Sequence, residues 1–201
     1  MTRKEQKEFR RQQIFQTALQ LFVQQGYYGT KTSQISKCAG ISEGLLFHYF
    51  PTKENLLEEL VRFGIIGMQT PAQIEAANGL DFFYQFLIML FKFLKQNPFI
   101  AQMFVFMAHV VRSEDIPAHI REMAISVDPI QDSCHRIKEG QADGSIRAGD
   151  PIALSNMYWC CVHGLMEQYS LNPSISLPEP EWVVDMLRAK PDCQAEAKSK
   201  I

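Results

Sequence analysis

The sequence predicts an all-α protein. Apolar residues recur at helical spacing through almost every segment, prolines and glycines punctuate those segments, and no stretch carries the two-residue alternation of a half-buried strand. Hydrophobic residues make up 46% of the 201 positions, enough for a real core.

In the first helix Ile14, Ala18, Leu21 and Phe22 recur at i, i+4, i+7 and i+8, with Phe15 and Leu19 widening the stripe and Gly26 placed to end it. Two short helices are expected over about Lys31–Cys38 and Glu43–Tyr49. A longer one follows Pro51, with Thr52 as N-cap, Glu54 in the first turn, and Leu56, Leu57, Leu60, Val61 and Ile65 along it. After a loop around Thr70–Gly79, the segments Leu80–Gln96 and Phe99–Val111 are apolar on nearly all faces, which predicts central burial. A helix over about Ala118–Lys138 is expected to bend or break at Pro129, and Glu139–Ser145 reads as loop. Pro151 opens a helix ending near Ser170, and a last helix is expected over Glu181–Ala189. The expected division is a small unit over 1–68, a larger helical body over 69–190 and a polar tail over 191–201.

Charge is distributed unevenly. Residues 1–53 hold eight Lys/Arg against three Asp/Glu, whereas the rest holds twelve against nineteen, so a basic end sits on an acidic body. Such asymmetry suits a chain that meets a polyanion at one end. The five cysteines show no CxxC spacing, so no disulfide framework or zinc site is expected, and Cys160 and His163 lack the second pair a metal would need. No cofactor is expected. The charged N-terminus lacks the apolar core of a signal peptide, and the stretch Leu80–Leu94 is shorter than the roughly 20 residues of a bilayer span; a cytoplasmic protein is expected. No Ser/His/Asp, paired-carboxylate or nucleotide-cradling pattern points to an enzyme.

The informative stretch is a helix-turn-helix whose second helix, within about 31–50, faces outward. Ile35 and Ala39 turn inward, Gly40 supplies the positive φ of a tight corner, Ile41 plugs that corner, and Ser42 caps the second helix. Thr30 is expected to cap the first short helix. Leu46 and Phe50 anchor the inner face of the second, leaving Glu43, Gly44, Phe47 and His48 outward. Lys53 stands where it can reach a backbone phosphate. The basic flank Arg3, Lys4, Lys7, Arg10 and Arg11 strengthens the case for nucleic acid.

Over roughly residues 8–68 this pattern resembles the tetracycline-repressor (TetR) family of bacterial regulators: Gly26-Tyr27, Thr30, Ile35, Ala39-Gly40-Ile41-Ser42, Gly44, Leu46, His48-Tyr49-Phe50, Thr52-Lys53-Glu54 and Leu57. The resemblance implies a DNA-binding first domain, a body that takes a small effector, and a homodimer acting as a repressor on double-stranded operator DNA. Carried over position by position, the DNA contacts are Ser33, Gln34, Ser42, Glu43, Gly44, Phe47, His48, Tyr49 and Lys53. The chain departs from its relatives at Phe47, usually Tyr, at Cys38 and Ser36, usually Ala, and at Glu43, where a basic or polar residue is common.

The body is dense in aromatic and sulfur side chains, which suits an adaptable cavity for an apolar or amphipathic effector. Its expected lining is Phe82, Phe86, Met89, Phe93, Met103, Phe104, Met107, Met123, Tyr158 and His163. A twofold mate is expected to pack on Val162, Leu165, Met166, Trp182 and Met186. The alternative is a helical signalling adaptor or scaffold with the same fold and no operator binding.

Overall fold

The structure, a computed structural model, describes residues 2–69 and 74–190. Among these the chain forms ten helices: α1 (Arg3–Gly29), α2 (Thr32–Cys38), α3 (Glu43–Tyr49), α4 (Lys53–Gln69), α5 (Gly79–Gln96), α6 (Phe99–Arg112), α7 (Ala118–Ile125), α8 (Pro129–Ala142), α9 (Pro151–Leu171) and α10 (Pro180–Val184). The expected all-α class is what is found. Its one strand-like feature among the described residues is an isolated antiparallel bridge between Ile146 and Arg188.

The chain divides into two compact units, one drawn from Met1–Thr70, Phe93–Val127 and His163–Ile175, the other from Pro71–Lys92, Asp128–Val162 and Ser176–Ile201. The expected polar tail, 191–201, and residues 70–73 of the expected loop lie outside the described residues.

In the first unit α1 opens with a capping box. The Thr2 hydroxyl accepts from the Glu5 N–H at 3.2 Å, and the Glu5 carboxylate accepts from the Thr2 N–H at 2.7 Å. Ile14, Ala18, Leu19 and Phe22 of α1 are buried in one cluster with Leu56, Leu57, Leu60 and Val61 of α4 and Met103, Phe106, Met107 and Val110 of α6. Truncating one of these leucines to Ala costs about 2–5 kcal/mol, so the cluster holds the small N-terminal helices in place.

In the second unit the Tyr158 hydroxyl donates to the Phe83 carbonyl at 2.9 Å, and the Trp159 indole donates to Ser133 Oγ at 3.0 Å. Ser133 and Ser155 share a hydrogen bond at 2.8 Å. These bonds satisfy the polar ends of side chains that are otherwise buried.

The break expected at Pro129 is found, and two other boundaries differ from the sequence expectation. The helix expected across Ala118–Lys138 is broken in two, because Asp128 caps a new helix by accepting from the Ile130 and Gln131 N–H groups, with Pro129 at its first position. Helix α8 then runs on through Glu139–Ala142, which read as loop. The glycine there serves close packing: a Cβ on Gly79 would lie 2.2 Å from the Arg136 carbonyl oxygen and 2.5 Å from the Gly140 nitrogen, and one on Gly140 would meet Ile146 at 2.5 Å. The last helix stops at Val184 rather than Ala189, since the Leu187 carbonyl accepts from the Arg147 N–H and the Ala189 N–H donates to Ser145.

Candidate nucleic-acid interface

Helices α2 and α3 form the corner read from the sequence. Gly40 adopts φ 65°, and the Ile41 N–H closes the turn on the Ser36 carbonyl at 3.0 Å. Ser42 caps α3, its hydroxyl oxygen accepting from the Leu45 N–H at 3.2 Å. Ile35 and Ala39 are fully buried, and Leu46 and Phe50 are 2% and 1% exposed. That leaves Glu43, Gly44, Phe47 and His48 exposed on the other face of α3, with Phe47 43% exposed. The small residues at 36 and 38 fit: Ser36 is buried and donates to the Ser33 carbonyl at 3.1 Å, and Cys38 is exposed.

The corner is tied to α1 and α4 by two residues. Gly26 (φ 73°) interrupts α1. Thr30, expected to cap α2, caps the end of α1 instead: buried, its hydroxyl donates to the Gly26 carbonyl at 2.8 Å and reaches that of Leu21 at 3.3 Å. The N-cap of α2 is Lys31, whose N–H donates to the Gln34 side chain at 2.7 Å. The Lys53 ammonium donates to the carbonyls of Tyr27 and Thr30 at 2.9 and 3.0 Å. Partial burial lowers the Lys53 pKa; burial raises that of Tyr27, with Glu54 and Tyr28 acting in the same direction.

The other expected DNA contacts stand as follows. Ser33 is exposed. Gln34 is half-buried, its amide also donating to Gln25 at 3.3 Å. Thr32, which sequence reasoning missed, donates its hydroxyl to Glu43 Oε1 at 3.1 Å. No local signal marks a bond that spans eleven positions across a turn. Tyr49 is half-buried, its ring edge-on to His48 at 5.6 Å.

Tyr49 and Leu45 also line a groove with Arg3, Lys4, Gln6, Lys7, Phe9 and Arg10 of α1. Four cations thus stand beside the outward helix. Arg11, read as part of the same flank, is committed elsewhere: its guanidinium pairs with Glu59 and lies 5.1 Å from the centre of the Phe50 ring.

The expected effector residues fall into two groups. In the first unit, Met103 and Met107 are buried in the cluster, Met123 packs against it, and Phe93 is exposed. The Phe104 ring meets His163 edge-on at 5.7 Å. Burial lowers the His163 pKa, Arg112 adds to the lowering, and Glu167 opposes it. In the second unit, Phe82, Phe86 and Tyr158 are buried, with Phe86 edge-on to Trp159 at 5.1 Å, and Met89 is half-buried.

Of the residues expected at a twofold interface, Trp182 is 69% exposed, and Leu165 and Met186 are half-buried. Val162 and Met166 are corrections. Both are fully buried within the single chain, so neither has surface to offer a mate.

Residues 14–60, which hold α2, α3 and parts of α1 and α4, match the family model described as "Bacterial regulatory proteins, tetR family". Over this region the chain is similar to the TetR family. The chain is 38% identical over 71 residues to the HTH-type transcriptional repressor AcnR of Corynebacterium diphtheriae, covering 35% of this chain and 36% of AcnR. Similarity to the repressor KstR2 of Mycolicibacterium smegmatis extends further, over 69% of this chain and 68% of KstR2, at 26% identity. The chain spans about a third or less of the length of several curated relatives it matches. Its fold resembles that of the TetR-family regulator PfmR from Thermus thermophilus, with a TM-score of 0.67 at 16% identity, over 89% of this chain and 98% of PfmR. Among the described residues no helix is long and apolar enough to cross a membrane.

Proposed function

We propose that the chain is a dimeric transcriptional repressor that leaves a pseudo-palindromic operator when a small apolar or amphipathic effector binds. The observation that carries this reading is the outward face of α3. Glu43, Gly44, Phe47 and His48 stand exposed on a short helix whose back is fastened by Leu46 and Phe50, the arrangement a major groove accepts.

Bases and phosphates divide the contacts. Glu43, Gly44, Phe47 and His48 face base edges, while Ser33, Gln34, Ser42 and Tyr49 flank them towards the backbone. Lys53 belongs to the phosphate set through its third proton, two being used on Tyr27 and Thr30. Arg3, Lys4, Lys7 and Arg10 extend that set along the groove beside α3. Binding therefore weakens steeply as salt rises.

One reading helix offers little area, and two copies must stand about 34–36 Å apart to enter successive grooves. Trp182 and Met186 of the second unit supply apolar surface for pairing, and so, separately, does Leu165 of the first. The effector acts by preferring a state in which the two readers are mis-spaced. Met103, Phe104, Met107 and His163 offer it an adaptable apolar lining with one polar contact. The operator lies on bacterial DNA, so the work is done in the cytoplasm, and no catalysis is involved.

Selection from random duplex DNA at low salt, without added ligand, tests the reading. Enrichment of a palindrome with half-sites about one helical turn apart is expected. No enriched palindrome contradicts it.

A further inference from the structure

Resting on that reading, and deepening it, we infer that Glu43, held by Thr32, makes the operator half-site require a cytosine at one position. Glu43 is the first residue of α3 and its only acid, and it is exposed where a reading helix meets base edges. A carboxylate accepts hydrogen bonds and donates none, so phosphate and every acceptor on a base edge repel it. Guanine offers the acceptors O6 and N7 in the major groove, and thymine offers O4. Adenine places the acceptor N7 beside its N6 amine, whereas cytosine presents its N4 amine with no acceptor on the same base beside it. Cytosine is the base the carboxylate fits.

The Thr32 hydroxyl fixes which carboxylate oxygen is used. It donates to Oε1 at 3.1 Å, bridging the first residues of α2 and α3, and leaves Oε2 to accept from the base. An exposed glutamate without such a bond would spread over several rotamers, and ordering it would cost affinity. Thr32 is therefore a positioning residue and Glu43 the contact.

Parallel selections with the full-length wild type, Glu43→Gln and Thr32→Val test the inference. The wild type is expected to enrich a C·G pair at the same place in both half-sites. Glu43→Gln is expected to move that preference to adenine, because an amide both donates to N7 and accepts from N6. On a fixed duplex, changing that C·G pair to T·A is expected to weaken the wild type about ten-fold and to leave Glu43→Ala indifferent. Thr32→Val is expected to keep the cytosine preference with an affinity several-fold lower. Both side chains are at the surface of the corner, and unchanged melting temperatures confirm that the variants are folded. A Glu43→Gln selection identical to the wild type at every position overturns the inference and leaves the operator reading standing. Thr32→Val binding with wild-type affinity overturns the positioning role. A wild type that enriches no palindrome removes both the inference and the function it rests on.

Discussion

The Lys53 ammonium lies 4.1 Å from the centre of the Tyr27 ring and donates to the carbonyl oxygen of the same residue. A single charge at the start of α4 thereby fastens the end of α1, and through the Thr30 carbonyl it fastens the entry to α2. Replacing Lys53 with Met removes two charge-assisted bonds and a cation–π contact, for an expected loss of about 2 kcal/mol. Calorimetric melting checks this. A melting temperature equal to the wild type's would mean that the ammonium contributes nothing to the corner.

Thr30→Val keeps the shape of the side chain but leaves the Gly26 carbonyl without its hydroxyl donor. A destabilisation of about 1–2 kcal/mol is expected in urea unfolding, with Thr30→Ser close to the wild type. Equal losses for Val and Ser would assign the role to packing rather than to the hydroxyl.

Gly79→Ala tests the close approach inside the second unit. The added methyl would meet the Arg136 carbonyl and the Gly140 backbone, neither of which can swing aside as a side-chain end can. About 1–3 kcal/mol or more is expected to be lost, with faster proteolysis around α5 and α8. Wild-type stability would contradict the packing of the two helices.

His163 gives the stability a pH dependence. Burial first, then Arg112, holds its imidazole below the ordinary value of 6.5, with Glu167 opposing. The unfolded chain therefore takes up its proton before the folded one as pH falls. This contribution is complete above the ordinary value and is lost as pH drops through the folded value. Melting from about pH 7 to about pH 5 is expected to fall more steeply for the wild type than for His163→Gln. Parallel curves would remove His163 as a source.

The helix-turn-helix was legible because its determinants are local. Ala39-Gly40-Ile41-Ser42 encodes a corner, and the four-residue spacing of Leu46 and Phe50 decides which side of α3 faces out. Contacts between distant positions were not legible. Nothing near Thr30 says that its hydroxyl turns back to α1, and nothing near Gly140 says that Gly79 packs on it, so a glycine read as a loop lies inside a helix. Val162 and Met166 were misread for a related reason. On a helix apolar around most of its circumference, periodicity does not tell the core side from a mate's side.

The exposed face of α3 is tested most directly by the ratio of affinities for the selected duplex and a scrambled one. Measured by fluorescence anisotropy at fixed salt, that ratio is expected to fall towards one in a Phe47→Ala, His48→Ala double variant. Both residues are exposed, so the melting temperature stays at the wild-type value. A folded double variant that keeps the wild-type ratio would show that α3 is not the helix that reads the DNA.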